Sequence, residues 1–425
     1  MTAREESLAA RDRRTVWHPY TQHGVDDEPL AVESARGALL RLADGREILD
    51  AISSWWTCLH GHGRPEIQAA IAHQARTLDH VLFAGATHEP AVAVAEELLR
   101  VAPKGLARVF YSDDGSTAVE VALKIAFQSF LHRGESQRTV FVALEGGYHG
   151  DTFGAMAAGD PDPFFEPFRP LLFRVARARV DAQSVSDTLD ELGDRAAGVI
   201  VEPLVQGAGG MRMHTPQFLR DVRALCDRHH VPLIADEVMT GFGRTGALFA
   251  CEVAGVVPDL MCVAKGLTGG VLPLAATLAT EALFEAFLSQ DRGRAFFHGH
   301  SFTANPIACA AALASLDIVR RENTPTKLAA IGATIEAELR RAIPSSLAVR
   351  EVRRTGGIVA LELDTREKGY LALDALRMRK VAIEHGVLLR PLGNVVYALP
   401  PACTTESEAR VIARAMVATA AAAVR

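Results

Sequence analysis

An aspartate and a lysine at the ends of two short apolar runs are the residues of this chain best suited to chemistry. Asp236 follows the run at residues 232–235, and Lys265 follows the run at 260–264. Each run has the length and composition of a buried parallel strand. Their separation of 29 residues (265 − 236) matches a strand, a crossover and a second strand. Because ligands of open α/β sheets bind at the carboxyl ends of strands, we expect both side chains to point into one crevice.

A carboxylate and a single amine in this arrangement suit pyridoxal phosphate chemistry. The lysine would form a Schiff base, and the carboxylate would hold a proton on the pyridine nitrogen so that the ring accepts electrons. Taken alone, each residue has a simpler interpretation: an aspartate that caps the next turn, or a lysine whose charged end reaches solvent. The two residues together favour the cofactor.

The sequence around these two residues resembles that of a known family. Residues 233–246 are Leu-Ile-Ala-Asp-Glu-Val-Met-Thr-Gly-Phe-Gly-Arg-Thr-Gly, and Lys265-Gly266 follows downstream. The pattern closely resembles the class III pyridoxal-phosphate aminotransferases of fold type I, and the resemblance covers nearly the whole chain. It implies an α/β enzyme with a large domain, whose mainly parallel sheet is flanked by helices, and a smaller α+β domain.

A turn at residues 113–117 is a candidate phosphate site. A predicted strand leads into this turn, and a long amphipathic helix follows it. Free N–H groups, the helix dipole and a hydroxyl group at a helix start all favour an anion. A capping box that joins Ser116 or Thr117 to Glu120 is an equally good interpretation of the local sequence. The resemblance implies that Gly115 and Ser116 bind the cofactor phosphate.

The sequence Gly146-Gly-Tyr-His-Gly-Asp151 surrounds an aromatic residue with glycines. Glycines let the backbone come close to a flat ligand, although a surface turn with a hydrogen-bonded tyrosine is the alternative. By resemblance, Tyr148 stacks on the cofactor ring and Val238 packs on the other face of that ring. Asp151 then belongs to the substrate pocket.

Two tryptophan-containing sequences add candidate substrate contacts, Trp17-His-Pro-Tyr20 and Ser53-Ser-Trp55-Trp56. Neighbouring side chains of a strand alternate between its faces, so consecutive tryptophans on a strand cannot both face the core. One of them must then line something else, unless a loop packs both against the core. Within the family, the two sequences together resemble one member in particular. This resemblance implies substrate contacts for Trp55, Trp56 and Tyr20, and a catalytic role for Tyr20.

A histidine-rich sequence, His298-Gly-His-Ser301, is expected to join two subunits. In the family, a Ser or Thr at this point reaches the cofactor phosphate of the partner subunit, and Ser301 matches it. His300 stands where we expect a proline, and Gly299 is expected to contact substrate. The resemblance therefore implies a homodimer with shared active sites.

The composition changes beyond about residue 320, from alternating strands and helices to a charged, alanine-rich helix. A strand, a helix at 371–385, a two-stranded region at 387–399 and a last helix follow, which is typical of an α+β unit. Arg390 ends one of these strands. By resemblance it binds a substrate carboxylate through two hydrogen bonds, although a surface arginine is the ordinary alternative. The predicted division is an N-terminal segment that joins the small domain (1–50), a large cofactor-binding domain (51–320) and the small domain (321–425).

Two helix starts are predicted from proline positions. Thr215-Pro216 and Asn305-Pro306 each combine a good capping residue with a proline at the first helical position.

Three rival functions remain at this point. One is another class III aminotransferase that acts on an ω-amino acid; Ala208 counts against it, because many such enzymes carry a glutamate there that masks a substrate-binding arginine. The second is an aminomutase-type isomerase, which shares the Asp and the Lys but needs no external amino donor. The third is a non-catalytic Rossmann-like binding module, which would show no yellow cofactor absorbance.

Composition limits the partners. The net charge is 45 − 51 = −6, which favours small-molecule substrates and neither nucleic acid nor an anionic membrane. The six cysteines have no paired spacing, and the first fifteen residues lack the apolar core of a signal peptide, so we expect a cytoplasmic protein. No apolar run approaches the ~20 residues that span a bilayer.

His60-Gly-His62 and His298-Gly-His300 lack a recognisable ligand set, so we predict no metal site.

Overall fold

The computed structural model describes residues 7–26, 28–160, 165–365 and 374–423. Its helices are α1 (Leu8–Thr15), α2 (Pro65–Thr77), α3 (Glu89–Val101), α4 (Gly115–His132), α5 (Phe153–Ala158), α6 (Ala182–Leu192), α7 (Pro216–His229), α8 (Ala250–Ala254), α9 (Glu281–Glu285), α10 (Pro306–Arg321), α11 (Thr324–Ala342), α12 (Asp374–Glu384) and α13 (Glu406–Ala422). Its strands are β1 (Val32–Arg36), β2 (Leu39–Leu42), β3 (Glu47–Asp50), β4 (Leu106–Ser112), β5 (Val140–Leu144), β6 (Val175–Ala178), β7 (Ala196–Val201), β8 (Val205–Gln206), β9 (Arg212–Met213), β10 (Leu233–Asp236), β11 (Leu260–Val263), β12 (Ala275–Thr280), β13 (Val349–Thr355), β14 (Ile358–Leu363), β15 (Val387–Leu388) and β16 (Val395–Ala398).

A seven-stranded sheet with the order β4-β12-β11-β10-β7-β5-β6 forms the centre of the molecule. Six strands of this sheet run in one direction, and β12, which is antiparallel to both β4 and β11, runs in the other. Strands β5, β7, β10 and β11 are buried along their whole length, as expected for parallel strands covered on both faces. The prediction of a mainly parallel α/β sheet is confirmed.

The two apolar runs of the sequence are neighbouring strands. β10 pairs in parallel with β11, and Asp236 lies opposite Cys262. Asp236 therefore ends one strand at the same sheet edge at which Lys265 follows the other. This adjacency is the arrangement that the 29-residue separation predicted.

Helices cover both faces of the sheet because alternate strand residues point to opposite sides. Leu233 and Ala235 of β10 pack in one core with Phe218 of α7. Ile234 packs in a second core with Val119 of α4. The central strands are thus held between two helical layers.

Both helix starts predicted from proline are confirmed. Thr215 accepts a hydrogen bond from Phe218 N at 3.2 Å, and α7 begins at Pro216. Asn305 Oδ1 accepts hydrogen bonds from Ile307 N and Ala308 N, both at 3.1 Å, at the start of α10.

Smaller sheets combine both ends of the chain. β1-β2-β3-β15 form one sheet and β13-β14-β16 another, with β8-β9 as a separate pair. The expected two-stranded region at 387–399 contains two strands, but they belong to different sheets, because β15 pairs with β3 and β16 with β14. Pro391 between them has no N–H with which to continue a ladder.

The proposed division at residues 50 and 320 stays a prediction. The predicted start of the helix at Leu371 lies outside the described residues, within which this helix runs as α12. Within the described ranges, the helices include none with the length and apolar character needed to span a membrane.

Candidate active site

A cavity of about 740 Å³ lies at the carboxyl ends of the central strands. All the predicted site residues except Gly299 and Ser301 line this cavity. The predicted residues that line it are Tyr20, Trp55, Trp56, Gly115, Ser116, Tyr148, Asp151, Asp236, Val238, Lys265 and Arg390. We call Glu202, Asp236 and Lys265 the cavity floor, since each follows or ends a central strand. We call Tyr20, Trp55, Asp151 and Arg390 the cavity mouth.

Asp236 is held in place by a buried histidine. The carboxylate is 5% exposed, and its Oδ2 lies 2.7 Å from Nδ1 of His149, which is also buried. Val238 N donates to the other oxygen at 3.1 Å. Because Nδ1 donates to a carboxylate, the histidine fixes which way Asp236 faces. The sequence reasoning missed His149, because its contact with Asp236 joins residues that are far apart in the chain.

The neighbouring acid Glu237 faces the other way. It is fully buried, and its two oxygens accept hydrogen bonds from Thr240 Oγ1 at 2.5 Å and from Cys251 N at 2.8 Å. Burial raises the pKa of Glu237. Of the two consecutive acids, only Asp236 lines the cavity.

Glu202 is a floor residue to which the sequence reasoning gave no role. It follows β7 as Asp236 ends β10, so the same pattern of an apolar run before an acid could have identified it. Its oxygens accept hydrogen bonds from Tyr148 N at 3.0 Å and Gly207 N at 2.8 Å. Burial raises the pKa of Glu202 to about 7.

Lys265 presents its amine to the floor. Burial lowers the pKa of Lys265 to about 8, while the carboxylates of Asp236 and Glu202 oppose this shift. The Nζ atom lies 4.5 Å from the centroid of the Trp56 ring. A lysine with a lowered pKa keeps part of its amine neutral near neutral pH, which is the nucleophilic form.

The candidate phosphate turn is capped by a residue other than the one the capping-box interpretation named. Asp114 caps α4 by accepting from Thr117 N at 2.9 Å, so a cap formed with Glu120 is wrong. Glu120 instead accepts from Gly154 N at 2.5 Å. Gly115 and Ser116 lie in the first turn of an 18-residue helix, and both line the cavity. The N–H groups of a first helical turn have no partner within the helix, so they are available to an anion there.

Glycine is required beside this turn by close approach. A Cβ atom on Gly150, whose φ is +128°, would lie 2.2 Å from Ser116 Oγ. A Cβ atom on Gly115 would lie 2.5 Å from Val238 Cγ1. Ser116 Oγ also accepts from Thr152 N at 2.9 Å, which fixes the hydroxyl group at the helix start. The turn is therefore preformed around a space with N–H and O–H donors.

Tyr20 and Asp151 of the mouth form a hydrogen-bonded group with Tyr148. Tyr20 Oη donates to Asp151, with both carboxylate oxygens at 2.7 Å, and lies 3.1 Å from Tyr148 Oη. Burial, together with the hydrogen bond that Tyr148 donates to Tyr20, raises the pKa of Tyr148. The Tyr148 ring stacks on Phe165, with centroids 6.1 Å apart.

Trp55 and Trp56 do not lie on a strand, so the alternation argument does not apply to them. Residues 53–56 form a turn in which four consecutive residues have φ between +45° and +75°. Left-handed backbone costs a non-glycine residue about 1–2 kcal/mol. Trp56 is 5% exposed and donates from Nε1 to Tyr397 Oη at 3.0 Å, whereas Trp55 is 38% exposed. The Arg390 guanidinium carbon lies 4.8 Å from the Trp55 ring centroid.

Gly299 and Ser301 are exposed and lie outside the cavity. Their predicted contacts with cofactor or substrate across a subunit boundary stay predictions. His300, which replaces the expected proline, places Nε2 at 3.2 Å from Asp113 Oδ1 beside the phosphate turn. Among the described residues, His, Cys, Asp and Glu side chains form no group of three or more that could hold a metal ion.

Comparison with known proteins defines the class. Residues 20–419 match the family model of class-III aminotransferases, and the chain belongs to this family. It is an aminotransferase, an enzyme of fold type I. The non-catalytic binding module is therefore excluded.

Particular relatives carry a more specific name. A protein of Synechococcus elongatus named adenosylmethionine-8-amino-7-oxononanoate aminotransferase is 49% identical over 409 residues, which cover 92% of this chain and 95% of that protein. The crystal structure of a protein with the same name from Methanocaldococcus jannaschii has a TM-score of 0.93 at 35% identity and covers 97% of this chain and 98% of its own. An amine transaminase from an uncultivated Pseudomonas species, solved in a PLP-bound form, has a TM-score of 0.89 at 33% identity, with coverage of 96% and 98%.

Proposed function

We propose that this enzyme transfers an amino group from S-adenosyl-L-methionine to 8-amino-7-oxononanoate, giving 7,8-diaminononanoate in biotin biosynthesis. The observation that carries the proposal is that one cavity has an amine and a carboxylate on its floor and an arginine beside a tryptophan at its mouth. The names of the relatives in Synechococcus elongatus and Methanocaldococcus jannaschii support this substrate pair. The sequences Trp17-His-Pro-Tyr20 and Ser53-Ser-Trp55-Trp56 resemble the same enzyme.

The cofactor we propose is pyridoxal 5'-phosphate, and the residues present fit it. Gly115 and Ser116 offer N–H and O–H donors in the space that glycine keeps open at the start of α4, which suits a phosphate. The Asp236 carboxylate suits a protonated ring nitrogen, and the Lys265 amine suits the aldehyde carbon. When bound, the cofactor supplies a sink for the electrons released from the substrate.

The protein's own groups divide the remaining work. Lys265 Nζ, with a pKa near 8, can take a proton from the substrate carbon that bears the amino group and return it. His149 keeps Asp236 oriented, and burial of this pair keeps water from screening its charge. Trp56 covers the amine on one side. Val238 and Tyr148 are the side chains proposed to hold the cofactor ring between them.

The mouth is proposed to recognise the substrate. Arg390 would bind the acceptor's far carboxylate through two parallel hydrogen bonds. Tyr20, which donates to Asp151, would orient the amino donor and assist proton movement beside Lys265. Trp55 would cover the carbon chain between these two polar ends.

A second candidate is an aminotransferase for ω-amino acids or simple amines. The amine transaminase among the structural neighbours favours it. Ala208, which lines the cavity where many of those enzymes carry a gating glutamate, argues against the ω-amino-acid form. An aminomutase-type isomerase remains distinguishable, since it would turn over without an external donor.

A donor test separates these functions. Purified enzyme is mixed with S-adenosylmethionine, with lysine, or with neither, and the cofactor absorbance is followed toward its aminated form. We expect the shift with S-adenosylmethionine and, after addition of 8-amino-7-oxononanoate, a return to the original spectrum. A shift with lysine alone would identify a different donor. A spectrum unchanged by both donors would overturn the proposal.

We further propose a homodimer in which Ser301 of each chain completes the phosphate site of the other. Ser301 is exposed and lies between Phe297 and Phe302, which are 76% and 60% exposed. Large exposed aromatic side chains beside a predicted site residue are typical of an interface. Gly299 in the same segment would then contact substrate across the boundary.

Mixed dimers test this arrangement. A Lys265→Ala chain combined with a Ser301→Ala chain produces heterodimers with one site that carries both substitutions and one that carries neither. The mixture should be more active than either parent. An enzyme that remains fully active as a monomer on dilution would overturn the shared site.

We propose that the enzyme works in the cytoplasm on small molecules. All six cysteines are free, and the net charge is −6. Free, mostly buried thiols are typical of a reducing compartment. Cell fractionation followed by detection of the enzyme would test this location.

A further inference from the structure

The turn at residues 53–56 has a strained backbone, and its two tryptophan rings lie against Lys265 and Arg390. We call it the left-handed turn. The φ angles of Ser53, Ser54, Trp55 and Trp56 are +49°, +45°, +71° and +75°. No glycine relieves this backbone, and such residues persist only where surrounding contacts hold them.

A buried aspartate holds the middle of the turn. Asp50, the last residue of β3, is fully buried. Its Oδ1 accepts from Ser54 N at 2.8 Å, and its Oδ2 accepts from Ser54 Oγ at 2.7 Å. His62 Nε2 lies 3.0 Å from the same Oδ2, and this hydrogen bond raises the pKa of His62 to about 10. Asp50, which is itself paired with His62, thus fixes the N–H and the hydroxyl of Ser54.

Other contacts fix the ends of the turn, and the Ser54 carbonyl accepts from Thr57 Oγ1 at 3.2 Å. Ser53 Oγ donates to Leu399 O at 2.8 Å. The fully buried Arg244 donates to Trp56 O at 3.3 Å and to Pro400 O at 2.8 Å. The carboxylate of Asp50 is the acceptor for the N–H and the hydroxyl of Ser54 in the middle of the turn, and hydrogen bonds to a charged acceptor are stronger than those between neutral groups.

The result of this arrangement is the position of two rings. Trp56 lies 4.5 Å from Lys265 Nζ, and Trp55 lies 4.8 Å from the Arg390 guanidinium carbon. We propose that Asp50 is a positioning residue, which sets the substrate-facing rings of Trp55 and Trp56 by anchoring Ser54 in the left-handed conformation. The substrate consequence rests on the proposed function, whereas the ring positions do not.

Tryptophan fluorescence reports on the environment of the two rings of the turn, independently of activity. The chain has three tryptophans, and Trp17 is 90% exposed. In a Trp17→Phe background, emission therefore comes from Trp55 and Trp56. Asp50→Asn keeps the shape of the side chain but removes the charge. In the cofactor-loaded enzyme we expect emission at longer wavelength and stronger quenching by acrylamide.

Steady-state kinetics of Asp50→Asn test whether the substrate pocket has changed. A hydrogen bond to a charged group is typically worth ten- to a hundredfold in an equilibrium, so we expect KM for 8-amino-7-oxononanoate to rise about tenfold. The value of kcat should fall less, because the floor residues keep their own contacts. Asp44→Asn is the matched control: it removes an exposed carboxylate from the β2–β3 hairpin of the same sheet.

A second substitution that restores the conformation of the turn distinguishes a positioning role of Asp50 from a general contribution to stability. Glycine adopts positive φ without steric cost, so Ser54→Gly added to Asp50→Asn should recover part of the emission, quenching and KM. If Asp50→Asn does not fold, Ser54→Ala, which removes only the hydroxyl contact, should shift all three in the same direction by a smaller amount.

The outcomes are decisive for either variant. Emission, quenching and KM equal to those of Asp44→Asn would overturn the proposal. So would a loss in Asp50→Asn that Ser54→Gly fails to recover. Altered fluorescence with no turnover of 8-amino-7-oxononanoate by the parent enzyme would leave the positioning role standing and reject the proposed substrate instead.

Discussion

The floor and the mouth of the cavity are built by different means. Asp236 ends a buried parallel strand and Glu202 directly follows one, so regular hydrogen bonding fixes the backbone at both residues. Lys265 lies two residues beyond β11, in a short 3-10 helix at Lys265–Thr268, and has a positive φ. The mouth residues lie on turns and loops, and Tyr20 and Trp55 have positive φ. Two of the three floor residues are thus placed by the regular sheet, whereas the mouth residues are placed where the backbone depends on distant contacts.

The electrostatics of the two regions differ as well. On the floor, burial raises the pKa of Glu202 and lowers that of Lys265, so the charges there are tuned by desolvation. At the mouth, Asp151 is exposed and Arg390 is part-exposed beside Trp55. Substitutions on the floor should therefore abolish chemistry for every substrate, whereas those of Trp55 and Arg390 at the mouth should discriminate between substrates.

The largest expected effect is that of Lys265→Ala. It removes both the amine proposed to hold the cofactor and the group that moves the proton, and loss of such a unit typically costs roughly 10⁴-fold or more in kcat. Steady-state turnover measures this loss, and cofactor absorbance should show that binding through Gly115, Ser116 and Asp236 persists. Turnover near the wild-type rate would refute the assignment of the floor.

The next largest effect should come from Asp236→Asn. The amide keeps the shape but loses the charge that would hold a proton on the ring nitrogen, so kcat should fall about a hundredfold. The melting temperature of the cofactor-free protein should change little.

Glu237→Gln is the matched control for Asp236, since it alters the adjacent acid that faces away from the cavity. Its kcat should stay close to wild type even if its stability falls, because Thr240 Oγ1 and Cys251 N lose one of the two carboxyl oxygens that accept their hydrogen bonds. Full activity of Asp236→Asn would mean that Asp236 serves only its contacts with His149 and Val238.

At the mouth, Arg390→Ala should affect one half-reaction more than the other. A bidentate contact between arginine and carboxylate is worth ~1.5–3 kcal/mol, or about ten- to a hundredfold. Single-turnover absorbance should show that loss with 8-amino-7-oxononanoate and a much smaller one with S-adenosylmethionine. Arg390→Lys should not restore it, because lysine cannot form the paired contact. Equal losses in both half-reactions would remove the distinction between floor and mouth.

The smallest effect concerns pH. Since the pKa of Lys265 is about 8, the neutral amine in the cofactor-free enzyme increases as pH rises through this value. The rate of cofactor uptake, followed by absorbance, should rise about fivefold from pH 7 to pH 8. In Asp236→Asn the midpoint should move to lower pH, because the carboxylate favours the protonated amine. A midpoint near 10.5, the ordinary value for lysine, would show that the floor does not tune this group.

How much could be predicted from sequence differs between the same two regions. Asp236 and Lys265 were found because a short apolar run before a charged residue is a local pattern. The same pattern contains Glu202, which was left without a role. His149 needed the fold, since its contact with Asp236 joins residues 87 positions apart.

The sequence by itself determined the class of chemistry and the parallel sheet, because strand periodicity, helix caps and the motif around Asp236 are properties of neighbouring residues. Only the tertiary structure decided the shape of the mouth. The left-handed turn opposes the local preference of Ser and Trp, and contacts with residues 346 and 341 positions away, at Leu399 and Tyr397, hold it. A conformation that local preferences disfavour is stable only where contacts with the rest of the chain hold it.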